Sequence, residues 1–213
     1  MAYRFSRLIL LVFLKVFFRL RVEGKDNLPR KGGFILACNH VSYLDPIVLG
    51  SGCLRNVHFM ARDTLFNNKF LAFWMKAVGV IPVKRNSIDF SALKNSLKAV
   101  KSGQGLAIFP EGTRRTINKA FIDPEPGVGF LADKADVPVI PAFVTGTYEA
   151  LPKGVRRKIN FGRKIVLRFG KEIHIERGKP YQETANMIMA EIKKLSINVN
   201  QDNKLNKIKI ERE

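Results

Sequence analysis

Acidic residues are scarce in this chain. Asp and Glu number 18 against 37 Lys and Arg, which leaves a formal net charge of +19 over 213 residues. A field of that sign repels cationic partners and favours polyanions: nucleic acid, an anionic leaflet, phosphorylated substrates or an acidic carrier. Cysteine is nearly absent. Cys38 and Cys53 form no C-x-x-C pair, which suits a reducing compartment and two small buried side chains. The three histidines, His40, His58 and His174, lie far apart, and no H-E-x-x-H or C-x-x-C spacing points to zinc. Long apolar runs are missing as well. The longest uncharged stretch near the start is Leu8 to Leu14, short of the roughly 20 residues a spanning helix needs. No small-residue cleavage site follows it, so a signal peptide is not expected.

What is present is apolar content of 46% and a phenylalanine excess, 16 Phe against 4 Tyr and 1 Trp. A chain of this length reads as one domain able to bury a core without staples. At about 100° per residue, Arg4, Arg7, Lys15 and Arg19 fall within an arc of about 120°. Phe5, Ile9, Phe13, Val16, Phe17 and Leu20 take the other side. Such a helix suits a membrane interface; the competing reading is a helix docked on the domain's own core.

Further on, helical and strand patterns alternate. Strands are expected at 33–38, 80–83, 106–109 and 137–144, and a hairpin within 159–175 around Gly162 and Gly170. Pro138 and Pro141 suggest that 137–144 is an edge or the start of a strand. Helices are expected from Pro46, at 63–78, at 87–101 with Ser87 as N-cap and Gly103 as stop, at 127–135 and at 182–195. The fold class is therefore α/β, a mixed β-sheet flanked by helices behind an N-terminal amphipathic, membrane-associating helix. The division expected is an interfacial helix over 1–21, a catalytic domain over 22–197 and a polar, frayed tail over 198–213.

Two motifs carry chemistry. Asn39-His40-Val41-Ser42-Tyr43-Leu44-Asp45-Pro46 directly follows the first strong strand. Proline suits the first helical turn, so Asp45 reads as an N-cap and His40 falls in the strand-to-helix turn. On one helix the two side chains would be about 140° apart; across a turn they can meet, and a carboxylate then fixes the imidazole as a general base. The second motif, Phe109-Pro110-Glu111-Gly112-Thr113-Arg114-Arg115, also ends a strand, and the Arg114 guanidinium suits a phosphate. Gly79 to Arg85 is a short strand ending in two cations. Gly127-Val128-Gly129-Phe130-Leu131-Ala132 spells a dinucleotide fingerprint but follows no strand, and neither a P-loop nor a G-x-S-x-G elbow is present.

Taken in order, Asn39-His40-x4-Asp45, Gly79 to Arg85, Phe109 to Arg114 and Val137-Pro138-Val139-Ile140-Pro141 resemble the four blocks of the 1-acyl-glycerol-3-phosphate acyltransferase family of glycerolipid acyltransferases. The likeness runs from about Val22 to Phe143 and weakens toward Ile175. It implies His40 as general base and Asp45 as its orienting carboxylate. It implies Arg85 and Arg114 on the acceptor phosphate with Lys84 nearby, and Glu111, Gly112 and Thr113 around that pocket. The Val137-to-Pro141 block would line the acyl side. Members often carry lysines before the glycine matching Gly127, where this chain has Glu125-Pro126.

The implied reaction moves a fatty acyl chain from a thioester on coenzyme A or acyl carrier protein to lysophosphatidate, forming phosphatidate. No further cofactor and no metal are expected. The partners expected are anionic lipids, lysophosphatidate and the donor, not nucleic acid, at the cytoplasmic face of the membrane. The alternatives are another lysoglycerolipid acceptor or a basic nucleic-acid binder.

Overall fold

The structure is a computed structural model. It describes residues 2–84, 89–116, 121–152 and 158–210, with side chains described no further than 197. In chain order the elements are α1 (Ala2–Phe18), β1 (Arg21–Glu23), β2 (Phe34–Cys38), α2 (Asp45–Gly52), β3 (Val57–Arg62), α3 (Lys69–Ala77), β4 (Ile81–Val83), α4 (Phe90–Lys101), β5 (Gly105–Ile108), α5 (Pro126–Ala135), β6 (Val139–Thr145), α6 (Thr147–Ala150), β7 (Val166–Phe169) and α7 (Tyr181–Ile210). The strands form one seven-stranded mixed sheet in the order β1-β7-β6-β2-β5-β3-β4. Every pairing is parallel except β6 with β7.

β2 lies at the centre because all five of its residues are apolar and buried. Alternation sends Phe34, Leu36 and Cys38 to one face, where they meet Leu14 and Phe18 of α1, Val48 and Leu49 of α2 and Leu167 of β7. Ile35 and Ala37 point to the other face, against Val100 of α4, Leu131 of α5 and Ile188 of α7. β2 and β5 are parallel neighbours, so the turns that follow them lie side by side at the carboxyl edge of the sheet. That is where open α/β sheets bind ligands.

Several expectations are corrected. β1 and β3 were not legible as strands; β1 is three residues at an edge, and β3 is mostly half-buried. The 63–78 stretch is a 3₁₀ turn followed by α3, divided at Asn68, whose side chain accepts from Leu71 N. α4 is capped by Asp89, which accepts from Ala92 N; Ser87 lies outside the described residues. β6 is an interior strand, not an edge. Pro141 is tolerated because its carbonyl, and hence its missing N–H, face the point opposite Gly170 where the β6–β7 ladder is interrupted. The 159–175 stretch holds one strand, β7, and an isolated bridge at Ile173 in place of a hairpin. α7 runs to Ile210, past Leu195. The G-x-G-x-x-A string lies within α5 as a packing device: a Cβ at Gly129 would lie 2.0 Å from Tyr181 O, where α7 begins.

α1 serves two surfaces. Leu14 and Phe18 are fully buried in the core, and Leu20 just beyond is buried too. Phe5, Leu8, Ile9, Val12 and Val16 stand exposed on the opposite side. The docked side is the one expected to carry the basic stripe: Arg7 is drawn in and donates to Cys53 O at 2.9 Å, while Arg4 and Lys15 stay exposed. Among the described residues no helix is long and apolar enough to cross a membrane.

Candidate active site

His40 begins the turn after β2, and Asp45 is the first residue of α2. The two side chains meet: His40 Nδ1 lies 2.8 Å from Asp45 Oδ2. The same oxygen accepts from Val41 N at 2.6 Å and Ser42 N at 2.7 Å, and Asp45 is fully buried. Asp45 therefore does not cap α2 as the sequence suggests. Leu44 holds the cap position in helical conformation, and the carboxylate turns back to gather the N–H groups of the preceding turn. An ionised carboxylate can only accept, so the His40 proton sits on Nδ1 and the Nε2 lone pair is left for a reacting group. The imidazole is also held from the side, stacked on Phe109 with ring centroids 4.1 Å apart.

Glu111 joins the two motifs from beneath. It is buried, and its carboxylate accepts from His40 N at 3.0 Å and Ile122 N at 3.4 Å and pairs with Arg115 at 3.4 Å. Arg115 N in turn donates to His40 O at 2.8 Å. Gly112 makes the turn possible with φ of 61°, and a Cβ there would approach Glu125 Cγ to 2.9 Å. Asn39 fastens the other side, donating to Val144 O at 2.9 Å and accepting from Val144 N at 2.7 Å across to β6. The turn that carries the histidine is thus fastened to β6 through Asn39 and to the turn after β5 through Glu111 and Arg115, the kind of support a reacting group needs.

A cavity of about 480 Å³ opens from this point. His40, Tyr43, Thr113 and Arg114 form a polar wall, and the Arg114 guanidinium lies 3.5 Å from the centre of the Tyr43 ring. The rest is largely apolar, built by Leu10 of α1, Ile47 of α2, Phe59 of β3 and Leu71, Trp74 and Met75 of α3. Of the residues expected around the acceptor phosphate, Thr113 and Arg114 line the cavity. Glu111 and Gly112 are not in the lining; Glu111 holds the His40 backbone behind it. Lys84 is exposed at the end of β4, its N–H donating to Asp89, and is not in the lining. Arg85 lies outside the described residues. The Val137-to-Pro141 block does not line the cavity; it leads into β6 and its buried residues pack within the sheet.

Arg62, at the carboxyl end of β3, lines the cavity and was missed because β3 was not legible as a strand. Phe109 stood inside a recognised block without a role; its position at the end of β5, beside the turn after β2, was the available signal. Cys38 is close by, but burial pushes its thiol well up, and the charges of Asp45 and Glu111 push it further, so it stays protonated. The Ser42 hydroxyl donates to Leu151 O and accepts from Leu44 N. Among the described residues no cluster of three His, Cys, Asp or Glu side chains could hold a metal ion.

Comparison with known proteins converges on one family. The family model described as Acyltransferase matches residues 19–145, which contain both motifs. The chain belongs to the acyltransferase family. A 1-acyl-sn-glycerol-3-phosphate acyltransferase of Bacillus subtilis is 34% identical over 145 residues, covering 68% of this chain and 71% of its own length. The enzyme of that name from Streptococcus pneumoniae is 27% identical over 201 residues, 92% of this chain and 73% of its own. The crystal structure of a 1-acyl-sn-glycerophosphate acyltransferase from Thermotoga maritima matches the fold with a TM-score of 0.71 at 23% identity, over 92% of this chain and 78% of that one. This acyltransferase therefore keeps the family's fold over most of its length.

Proposed function

We propose that this acyltransferase moves a fatty acyl chain from a thioester, on coenzyme A or acyl carrier protein, to the free hydroxyl of 1-acylglycerol-3-phosphate, forming phosphatidate for phospholipid synthesis. The observation that carries the reading is the His40–Asp45 pair set against the wall of a largely apolar cavity. The names of the relatives supply the acceptor.

His40 Nε2 takes the proton of the lipid hydroxyl as its oxygen attacks the thioester carbonyl. The tetrahedral intermediate collapses, the carbon–sulfur bond breaks, and the thiolate leaves with the proton that His40 returns. Asp45 holds Nδ1–H throughout and stabilises the transient imidazolium, a contribution of general base catalysis typically worth about 10²–10⁴ in rate. Transfer is direct, without an acyl-enzyme, because Cys38 is a buried thiol and the Ser42 hydroxyl is engaged in the turn. Arg114 meets the acceptor phosphate with Thr113 beside it. Lys84 stands just beyond Val83, which pairs in register with Arg62 of the cavity wall, and a long cationic side chain there suits the same phosphate; the family resemblance adds Arg85 to that role. The outward face of α1 keeps the enzyme at the cytoplasmic leaflet, where the acceptor resides.

The test is a matrix of lysolipid acceptors against acyl-coenzyme A and acyl-carrier donors, with products read by mass spectrometry. Phosphatidate is expected from lysophosphatidate, and His40→Ala should lose at least 10² of the rate while keeping the wild-type melt. Retention of more than a tenth of the activity in His40→Ala would remove the base assignment. Preference for another lysoglycerolipid would move the acceptor within the class.

A further inference from the structure

A second helix carries an exposed aromatic face that the reading above leaves unused. On α3, Phe70 is 84% exposed and Phe73 75% exposed, and Leu71 and Trp74 are open as well. At about 100° per residue these four and Ala77 occupy an arc of about 160°, while Ala72 and Met75 on the remaining side are buried. Lys69 and Lys76 fall within about 20° of each other at one edge of the apolar arc, and α3 contains no acidic residue. A wide apolar face, aromatics and cations at its margin make the pattern of a helix lying in a lipid interface. Bare aromatics at this density are not the ordinary surface of a soluble domain.

The position of α3 adds a second argument. Trp74 Nε1 donates to Ser6 Oγ of α1 at 3.3 Å, so the two helices are neighbours. Both line the cavity that holds His40, α1 through Tyr3, Ser6 and Leu10 and α3 through Leu71, Trp74 and Met75. α1 likewise lacks acidic residues and carries exposed Arg4 and Lys15 beside its outward apolar strip.

We propose that α3 is a second lipid-contacting element, immersed beside α1 in an anionic leaflet, so that the α1–α3 seam of the cavity faces the bilayer and both acyl chains reach His40 from the lipid side. The proposal rests on the acyl-transfer reading for the identity of the chains. The surface itself commits to one occupant, an anionic lipid leaflet, on the complementarity of Lys69, Lys76, Arg4 and Lys15 with negative headgroups.

Trp74 is the sole tryptophan of the chain, so its fluorescence reports on α3 alone. The wild-type protein is mixed with vesicles of phosphatidylglycerol and phosphatidylcholine, with and without bromine on the acyl chains. Trp74 emission should shift to the blue and be quenched by the brominated chains. Phe70→Gln/Phe73→Gln should lower vesicle partitioning about tenfold or more, since two large apolar side chains leave the interface. Both side chains lie outside the cavity, so turnover of a water-soluble short-chain lysophosphatidate should stay at the wild-type level. Protein that sediments with vesicles while brominated chains leave Trp74 untouched would overturn the proposal, as would wild-type partitioning of the double variant. A vesicle-free dimer abolished by Phe70→Gln/Phe73→Gln would overturn it too, giving the face to a second copy of the chain. Quenching without transfer to any lysolipid would uphold the lipid contact of α3 and sink the acyl-transfer reading alone.

Discussion

Arg114 reaches the cavity wall by stacking on Tyr43, and that stack has a consequence for binding. A guanidinium pre-ordered over a ring loses little freedom when it receives a phosphate, and its fork can meet two oxygens at once. Arg114→Ala should therefore raise KM for lysophosphatidate by roughly ten- to a hundredfold, the equivalent of about 1.5–3 kcal/mol, with KM for the thioester little changed. Arg114→Lys should recover part of the loss, because charge returns without the fork. Equal effects on both substrates would place Arg114 outside the acceptor site. Cys38 gives a different forecast. Burial first, then Asp45 and Glu111, pushes its thiol up, and burial does the same for Cys53. The folded protein thus holds these protons more tightly than the unfolded chain. Their contribution to stability is full below the ordinary thiol range, near pH 8.5, and is lost as pH rises above it, where only the unfolded chain gives the protons up. The melting temperature should fall above about pH 8.5, and less steeply in Cys38→Ala. A slope identical to wild type would refute the assignment.

Among the elements, α1 separates two ideas that one amphipathic pattern had merged. Its sequence reads as an interfacial helix over 1–21 set apart from the domain that follows, with docking on the core as the competing reading. Phe5, Ile9 and Val16 stand exposed on one side, but Leu14 and Phe18 are wholly buried in the core shared with β2 and α2. Truncating a buried Leu or Phe to Ala typically costs about 2–5 kcal/mol, against a total stability of about 5–15 kcal/mol. Deleting residues 1–20 should therefore abolish the cooperative melt. Phe5→Gln/Ile9→Gln/Val16→Gln should leave the melt as in wild type and lower partitioning into anionic vesicles. A truncated chain that still melts cooperatively would show that α1 does not belong to the core. The same limit governs the strands. β2 and β5 were legible because buried parallel strands are continuous apolar runs, and their turns carried the His40 and Arg114 motifs. β3, half-buried beside β4, has no such run, so Arg62 went unseen with it. The interior position of β6 was hidden because its prolines read as an edge; only the pairing shows that Pro141 faces an interruption in the ladder. The reversed bond of Asp45, toward the turn and not the helix, also depends on tertiary placement: the spacing of His40 and Asp45 allows it without requiring it.

At the scale of the whole molecule, a net charge of +19 and two exposed apolar helix faces offer two different forces for the proposed contact with an anionic leaflet. The two forces respond differently to salt. Each Lys or Arg near an anionic surface contributes about 1 kcal/mol, so Arg4, Lys15, Lys69 and Lys76 supply about 4 kcal/mol at low ionic strength. That attraction shrinks as the screening length falls from about 10 Å at 0.1 M to about 3 Å at 1 M. Fully burying one large apolar side chain is worth about 1.5–3 kcal/mol and is indifferent to screening. With Phe5, Ile9, Val16, Phe70 and Phe73 all exposed, even partial immersion exceeds the electrostatic share. Partitioning into anionic vesicles should therefore weaken by about tenfold or less between roughly 0.1 and 0.5 M NaCl, and wild-type protein should stay largely bound. Each outward-face variant keeps every cation and the other helix's apolar face, so its partitioning should fall more steeply with salt than that of wild type. Co-sedimentation across a salt series, run for wild type and variants together, reads both slopes. Complete release of the wild-type protein by salt would mean that charge alone holds it at the surface and that the aromatic faces of α1 and α3 stay in water.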